Sequence, residues 1–286
     1  MTLIELIAHS SERLESAGVC CAQGTTHAFD EAAWLVLWRL GLPLDSLDEH
    51  AERAVAPADL QAAHDLVTQR IASRRPAAYL TGEAWLQGVP FFVDERVIIP
   101  RSLIAEPLAE GVLDAWLPDE PKTVLDLCTG GASLAVLAAL AWPEARVLAT
   151  DLSADALAVA RLNVERHGLA ERITLAQGDG LTAAPGRFDL ILCNPPYVNA
   201  ASMAALPPEF RAEPALALDG GADGMVFVRG LLAEAGHHLN AGGVLVLEIG
   251  HERKHFDAAF PGLPVVGLPT SAGDEQVLLL EAAQLK

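Results

Sequence analysis

The tetrapeptide Asn194-Pro195-Pro196-Tyr197 carries residue types suited to chemistry on a planar nitrogen. It directly follows the apolar run 188–193, which is typical of a buried strand. The Asn194 side-chain oxygen and the Pro195 carbonyl can accept the two hydrogens of an NH₂ group, while Tyr197 offers a flat face. Because each proline fixes φ and lacks an N–H, the segment is stiff and leaves its carbonyls available to a ligand. This pattern predicts methyl transfer to an amide or aromatic amino nitrogen, whose delocalised lone pair must be held facing the electrophile.

A stretch of small residues predicts a nucleoside site. The sequence DLCTGGAS at 126–133 continues a predicted strand, and its small side chains let the backbone approach a ligand beside the next helix N-terminus. It lacks the GxGxxG spacing that cradles a pyrophosphate, so a nucleoside without phosphate fits better, and S-adenosylmethionine is such a ligand. The loop residues expected to bind it are Asp126, Cys128, Thr129, Gly130, Gly131 and Ala132.

Two acids follow the next two predicted strands. Asp151, with Leu152 beside it, is placed to accept both ribose hydroxyls, and Asp179, with Gly180, to accept the adenine amino group. Each signal alone is weak, because an acid after a strand is often a helix cap and a glycine-rich turn is often tight packing. Their order is stronger evidence, since the glycine loop, both acids and Asn194 end successive strands, where open α/β sheets bind ligands. Asn194 is therefore expected to contact the cofactor as well.

The first part of the chain has apolar residues at helical intervals. This spacing predicts an N-terminal helical domain over 1–82, with helix openings at Asp30 and after Pro57 and a stop at Gly41. Aromatic and β-branched residues then predict a linking β-hairpin over 83–100, with its turn at Gly88 and Pro90.

From residue 101 to 286, short apolar runs alternate with helical patterns. This alternation predicts a catalytic domain of the α/β class with a Rossmann-like, doubly wound mixed sheet. The connection between the last two runs is too short for a crossover helix, so they are expected to form an antiparallel edge. The predicted strands cover 123–127, 147–150, 173–176, 188–193, 244–249, 264–268 and 276–280.

Charge and cysteine content limit the partners. The 286 residues carry 19 Lys and Arg against 38 Asp and Glu, a net charge of −19. Because phosphate binding needs clustered basic residues, no direct nucleic-acid binding is expected, and a basic protein fits better, although an acidic surface can equally serve solubility. No uncharged run approaches a membrane span, and the first residues do not resemble a signal peptide. Four cysteines fit neither a disulfide framework nor a zinc site, which predicts a cytoplasmic protein without a bound metal.

The catalytic region resembles class I S-adenosylmethionine-dependent methyltransferases, and its NPPY tetrapeptide resembles that of the HemK/PrmB-type group of protein-glutamine methyltransferases. The resemblance spans nearly the whole chain, including RPAAYLTG at 75–82 and FFVDERVIIPRS at 91–102, which are similar to the linker and hairpin of that group. The branch that modifies a ribosomal protein matches better than the release-factor branch. The segments favouring it are GTTH at 24–27, DEA at 30–32, DLCTG at 126–130, Met203, LP at 206–207, EFR at 209–211 and EP at 213–214.

This resemblance implies an enzyme that methylates a glutamine side-chain amide of a large-subunit ribosomal protein, the third in the standard order. A peptide chain release factor is the alternative acceptor. The helical domain is then expected to recognise the protein substrate, and the amide nitrogen to attack the sulfonium methyl in line, with no metal and no covalent intermediate. The residues expected to be catalytic are Asn194, Pro195, Pro196 and Tyr197.

One position departs from the group, and two other classes of function stay open. The group usually has Gly-Ser-Gly or Gly-Thr-Gly where this chain has Gly130-Gly131-Ala132, so a methyl group at the third position predicts weaker but retained cofactor binding. A DNA adenine methyltransferase would also use NPPY on a flipped base, but the acidic charge argues against it. A catalytically silent adaptor would keep the fold, but the intact NPPY argues against that.

Overall fold

The computed structural model describes residues 1–285, which divide into two compact units. The helical unit comprises Met1–Ala84 together with Leu206–Glu213, and the sheet unit comprises Trp85–Ala205 and the described chain from Pro214 onward. The apolar periodicity of the sequence contains no signal for the second, short segment of the helical unit. None of the helices formed by residues 1–285 is long and apolar enough to cross a lipid bilayer.

The helical unit is built from α-helices separated by short connections. They are α1 (Leu3–Ser16), α2 (Ala28–Arg39), α3 (Leu47–His50), α4 (Pro57–Ser73) and α5 (Ala77–Thr81). α1 opens with a capping box in which Thr2 and Glu5 each accept the other's backbone amide. α4 begins at Pro57 itself, because proline loses no helical hydrogen bond at that position. The predicted opening of α2 was wrong, since Asp30 lies inside the first turn, where the helix dipole stabilises an acid.

A short β-hairpin follows the helices. Its strands are β1 (Glu83–Leu86) and β2 (Val89–Phe92). Gln87 and Gly88 form the turn with φ values of 49° and 74°, the left-handed pair that suits the twist of a two-residue hairpin. The hairpin is therefore shorter than predicted, and Pro90 lies within β2 rather than in the turn.

The sheet unit is built on a seven-stranded mixed sheet with the order β5-β4-β3-β6-β7-β9-β8. The pairs from β5 to β7 are parallel, whereas β9 is antiparallel to both β7 and β8. This arrangement confirms the predicted doubly wound, Rossmann-like mixed sheet and its antiparallel edge. The strands are β3 (Thr123–Leu127), β4 (Arg146–Asp151), β5 (Ile173–Gln177), β6 (Phe188–Cys193), β7 (Leu239–Glu248), β8 (Val266–Gly267) and β9 (Val277–Glu281).

Helices cover both faces of this sheet, and alternate strand residues enter two different apolar cores. Val124 of β3 belongs to the core that includes residues of α7, whereas its neighbour Leu125 belongs to the core that includes residues of α10 and α11. Burial on both faces explains the continuous apolar runs of the central strands. The helices of this unit are α6 (Ala105–Ala109), α7 (Ser133–Ala141), α8 (Ala154–Arg166), α9 (Ala200–Ala205), α10 (Val226–Glu234) and α11 (Arg253–Ala259).

Candidate active site

The NPPY tetrapeptide and the glycine loop leave neighbouring strands at the same edge of the sheet. β3 and β6 are parallel, and Leu127 pairs with Cys193, so the residues that follow them, Cys128 and Asn194, emerge side by side. Asn194 is half-buried, and its side-chain amide makes no hydrogen bond to another described residue. The amide is therefore available to a ligand, and the fold brings together the two segments that the sequence singled out.

Tyr197 is fixed by a buried acid that the sequence reasoning missed. Its hydroxyl donates to Glu248 Oε1 at 3.0 Å, and the other oxygen of Glu248 accepts from Ser102 Oγ at 2.6 Å and from the Leu103 amide at 2.9 Å. Burial raises the pKa of the Glu248 carboxyl, while these donors oppose the rise. The ring also lies against Gly250, where an added Cβ would approach it to 2.4 Å. The orientation of Tyr197 is therefore set from both its hydroxyl and its ring edge.

A second glycine-rich segment holds the backbone of Tyr197. An added Cβ would lie 2.7 Å from the Tyr197 Cα at Gly220 and 2.2 Å from the Tyr197 carbonyl oxygen at Gly224. Val198 is paired to this segment through its amide, which donates to Leu218 O at 2.8 Å, and its carbonyl, which accepts from Gly220 N at 2.9 Å. Glycine is required here because backbone packs directly on backbone. The cluster of three glycines at 220, 221 and 224 was a sequence signal for such a close approach.

Asn199 anchors the end of the same turn. Its Nδ2 donates to Glu252 Oε1 at 2.6 Å, and Glu252 is only 6% exposed. The second oxygen of Glu252 contacts His255 Nδ1. Glu248, at the end of β7, and Glu252, just beyond it, thus hold Tyr197 and Asn199, so the chain around NPPY is constrained by two acids.

The glycine loop adopts left-handed conformations at alternate positions. Cys128, Gly130 and Ala132 have φ values of 59°, 56° and 64°. This conformation costs non-glycine residues about 1–2 kcal/mol, which explains the glycine usual at the third position. The methyl group of Ala132 is fully buried and belongs to the apolar core, together with Ala135. The weaker cofactor binding expected from this methyl group stays a prediction.

Asp126 lies beneath this loop rather than at its surface. The side chain is 1% exposed, and Oδ2 accepts from Thr129 Oγ1 and from the Ala135 amide. Burial raises the pKa of the Asp126 carboxyl to about 7, although both hydrogen bonds oppose the rise. In this position Asp126 supports the loop and the start of α7.

Asp151 combines support of the loop with room for a ligand. Its Oδ2 accepts from Gly130 N at 2.9 Å and its Oδ1 from Ser153 N at 2.8 Å, and burial raises its pKa. A carboxylate offers about four lone-pair positions, so both oxygens can still accept from hydroxyl groups. Leu152 beside it is 49% exposed and presents an apolar surface next to the acid.

Asn163 of α8 is a second buried support of the loop that sequence reasoning missed. Its Nδ2 donates to Gly131 O at 2.9 Å and to Phe92 O at 3.1 Å, while its Oδ1 accepts from Phe92 N at 2.7 Å. The side chain is fully buried. A polar residue on the apolar face of a helix was the available signal, because a buried amide needs partners.

A cavity of about 560 Å³ opens beside these segments, within the range of small-molecule sites. Asp179 and Gly180, which follow β5, line it together with Pro196 of the tetrapeptide. Phe227 adds an aromatic wall, and an added Cβ at Gly180 would lie 3.8 Å from its ring. Asp179 supplies an acceptor and Phe227 an apolar wall, a combination that suits a ligand with a planar base and an amino group.

The cysteines and possible metal ligands contribute no separate centre. Cys193 is buried, and burial raises the pKa of its thiol well above the usual range, which keeps it protonated. Within residues 1–285, no group of three or more His, Cys, Asp and Glu side chains is arranged to hold a metal ion.

Known proteins resemble this chain in sequence and in fold. A family model described as the methyltransferase small domain matches residues 109–222. A Bordetella pertussis protein named ribosomal protein uL3 glutamine methyltransferase is 54% identical, with 99% of this chain and 96% of that protein covered. A Burkholderia pseudomallei protein of the same name is 50% identical, with 99% and 95% covered. Among solved structures, the hMettl16 catalytic domain in complex with the MAT2A 3′UTR hairpin 6 shares the fold at 15% identity, with a TM-score of 0.52 and 79% and 81% covered.

Proposed function

Because this chain belongs to the family of ribosomal protein uL3 glutamine methyltransferases, we propose that it methylates the side-chain amide nitrogen of a glutamine in that ribosomal protein. The family assignment confirms the resemblance read from the NPPY tetrapeptide and its flanking segments. Both relatives are named for uL3, which favours this acceptor over a release factor. The observation that carries the proposal is the half-buried Asn194, whose unpaired amide directly follows β6 and lies two residues before Pro196, which lines the cavity.

The methyl donor proposed is S-adenosylmethionine, which supplies an electrophilic methyl group on sulfur. Asp151 is placed to accept ribose hydroxyls, since both of its oxygens keep acceptor capacity beside Gly130. The adenine would occupy the cavity that Asp179 and Phe227 line. The glycine loop supplies backbone groups close to the N-terminus of α7, where anionic groups are favoured.

One side-chain oxygen and one backbone carbonyl would hold the acceptor amide. Asn194 Oδ1 accepts one amide hydrogen and the Pro195 carbonyl accepts the other, which leaves the nitrogen lone pair directed at the methyl group. Pro195 is buried and Pro196 has no N–H, so the acceptor carbonyl has little freedom to move. Tyr197 supplies a flat side to the pocket, with its hydroxyl already bonded to Glu248. As the N–CH₃ bond forms, the S–CH₃ bond would break, S-adenosylhomocysteine would leave, and the product amide would then lose a proton. Both oxygens would keep their hydrogen bonds as the nitrogen becomes tetrahedral and would stabilise its developing positive charge.

The composition supports a basic protein acceptor in a reducing compartment. A net charge of −19 attracts a basic protein and opposes direct binding to nucleic acid. All four cysteines are free thiols, so we place the reaction in the cytoplasm.

The test is transfer of label from tritiated S-adenosylmethionine to purified, unmethylated uL3, with a release factor and DNA in parallel reactions. We expect label in uL3, and mass spectrometry of the peptides should assign it to a glutamine. Label in the release factor with none in uL3 would overturn the choice of acceptor, and label in DNA would overturn the class of enzyme.

A further inference from the structure

The chain that follows NPPY does not remain in the sheet unit. After α9, the segment Leu206–Glu213, here called the latch segment, packs as part of the helical unit, and the chain returns to the sheet unit at Pro214. Val198 and Asn199, at the other end of α9, are hydrogen-bonded within the sheet unit. The stretch after the proposed acceptor-binding residues is therefore anchored on both sides.

The latch segment contains two buried acids, and the contacts of Glu209 fix it to the helical unit. Of residues 206–213, only Glu209 and Glu213 are buried, while its apolar side chains remain partly exposed. Glu209 Oε1 lies 2.7 Å from Arg74 Nε and 3.4 Å from Arg70 Nη1, and it accepts from the Cys20 amide at 3.2 Å. Ion pairs and a hydrogen bond of Glu209 therefore help to hold this segment.

The partners of Glu209 are themselves buried and paired. The Arg70 side chain is fully buried, and its Nε donates to Glu31 Oε1 at 2.7 Å. Gln23 Nε2 donates to the backbone carbonyl of Glu209 at 3.4 Å, which adds a polar contact to the same residue. Two arginines thus face two glutamates, and removing Glu209 would leave Arg70 and Arg74 with an uncompensated charge.

We propose that Glu209 is a positioning residue for methylation of the protein acceptor, which it serves by keeping the latch segment within the helical unit. This inference rests on the proposed function. Because the residues proposed to bind the cofactor lie in the sheet unit, release of the latch segment should leave cofactor binding unchanged. It should instead lower turnover on protein, since the chain after Asn199 loses its second anchor.

The test uses the full-length protein with Glu209→Gln, which keeps the shape of the side chain but removes its charge. Trypsin can cleave after the exposed Arg211, and mass spectrometry of the Arg211–Ala212 cut reports opening of the latch segment directly. We expect this cut about tenfold faster than in the wild type, and kcat/KM for the protein acceptor about tenfold lower. The dissociation constant and KM of S-adenosylmethionine should stay within about twofold, as a positioning role requires. Glu12→Gln, an exposed acid on α1, is the matched control and should change none of these values.

The outcomes separate this inference from the proposed function. Failure of the wild type to methylate uL3 would remove the proposed function, while the trypsin result would still report on the latch. A wild-type cleavage rate in Glu209→Gln, or faster cleavage with full acceptor turnover, would overturn the positioning role. An equal loss of cofactor binding would show a global defect and contradict it too. If Glu209→Gln does not fold, Arg74→Gln removes only the partly exposed partner and is subject to the same criteria.

Discussion

The hydroxyl of Tyr197 donates a hydrogen bond of 3.0 Å to the buried carboxylate of Glu248 at the end of β7. This bond joins the proposed acceptor-binding tetrapeptide to the neighbouring strand. It also gives an otherwise costly buried acid one of its hydrogen-bond donors.

Tyr197→Phe removes that donor but keeps the aromatic ring. The Glu248 carboxylate would lose one of its partners, so we expect the free energy of unfolding to fall by about 1–3 kcal/mol. Turnover should fall as well, because the ring orientation affects how the acceptor amide is bound. The KM for S-adenosylmethionine should stay unchanged, because the ring is not expected to contact the cofactor. Denaturant unfolding and steady-state kinetics measure the two effects. A variant with wild-type stability and wild-type kcat would show that the bond has no such role.

Gly224→Ala tests the close packing beneath Tyr197. The added Cβ would lie 2.2 Å from the Tyr197 carbonyl oxygen, so the turn must move, and we expect kcat to fall by about tenfold or more. Gly262→Ala is the control, because Gly262 has a similar φ of 79° but open space around it. The control separates the backbone strain of a left-handed alanine from displacement of the turn. Equal kinetics for both variants would show that the close packing of Gly224 on Tyr197 does not affect turnover.

Asn163→Asp should weaken cofactor binding indirectly, through the glycine loop that Asn163 supports. The change removes the donors to Gly131 and Phe92 and places an oxygen against their carbonyls, so the glycine loop loses its support. We expect the dissociation constant of S-adenosylmethionine, measured by calorimetry, to rise by about tenfold. Asn240→Asp makes the same chemical change beside Asp189 at the opposite end of the sheet and should lower stability only. A weaker affinity in both variants would point to general destabilisation.

The pH dependence of stability should report the buried Asp126. Its pKa is raised from 3.8 to about 7 on folding, so the folded state favours the protonated acid. The stability it contributes is therefore fully present below about pH 4 and is lost as pH rises through about 7. Asp126→Asn cannot ionise, and its amide oxygen can still accept from Thr129 and Ala135. Thermal unfolding should thus show that the stability of the variant rises relative to that of the wild type as the pH increases from 4 to 7. A constant difference over that range would contradict the raised pKa.

The sequence predicted the sheet well because its signals are local. Apolar runs such as 188–193 mark buried strands, and Pro57 marks a helix start, without reference to distant residues. The location of NPPY and the glycine loop at one edge followed from the rule for parallel sheets. The supports of the site could not be predicted in this way. Glu248 meets Tyr197, and Glu209 meets Arg70, across large sequence separations that no local pattern encodes.

The most direct test of the account is Asn194→Ala, with cofactor affinity measured by calorimetry and turnover measured on the same preparation with uL3. Removal of the side-chain oxygen takes away one of two groups that hold the reacting amide, so we expect kcat to fall by about a hundredfold or more. The dissociation constant of S-adenosylmethionine should change far less. Equal losses of turnover and cofactor affinity, or full turnover without this oxygen, would contradict the central claim that Asn194 holds the acceptor nitrogen.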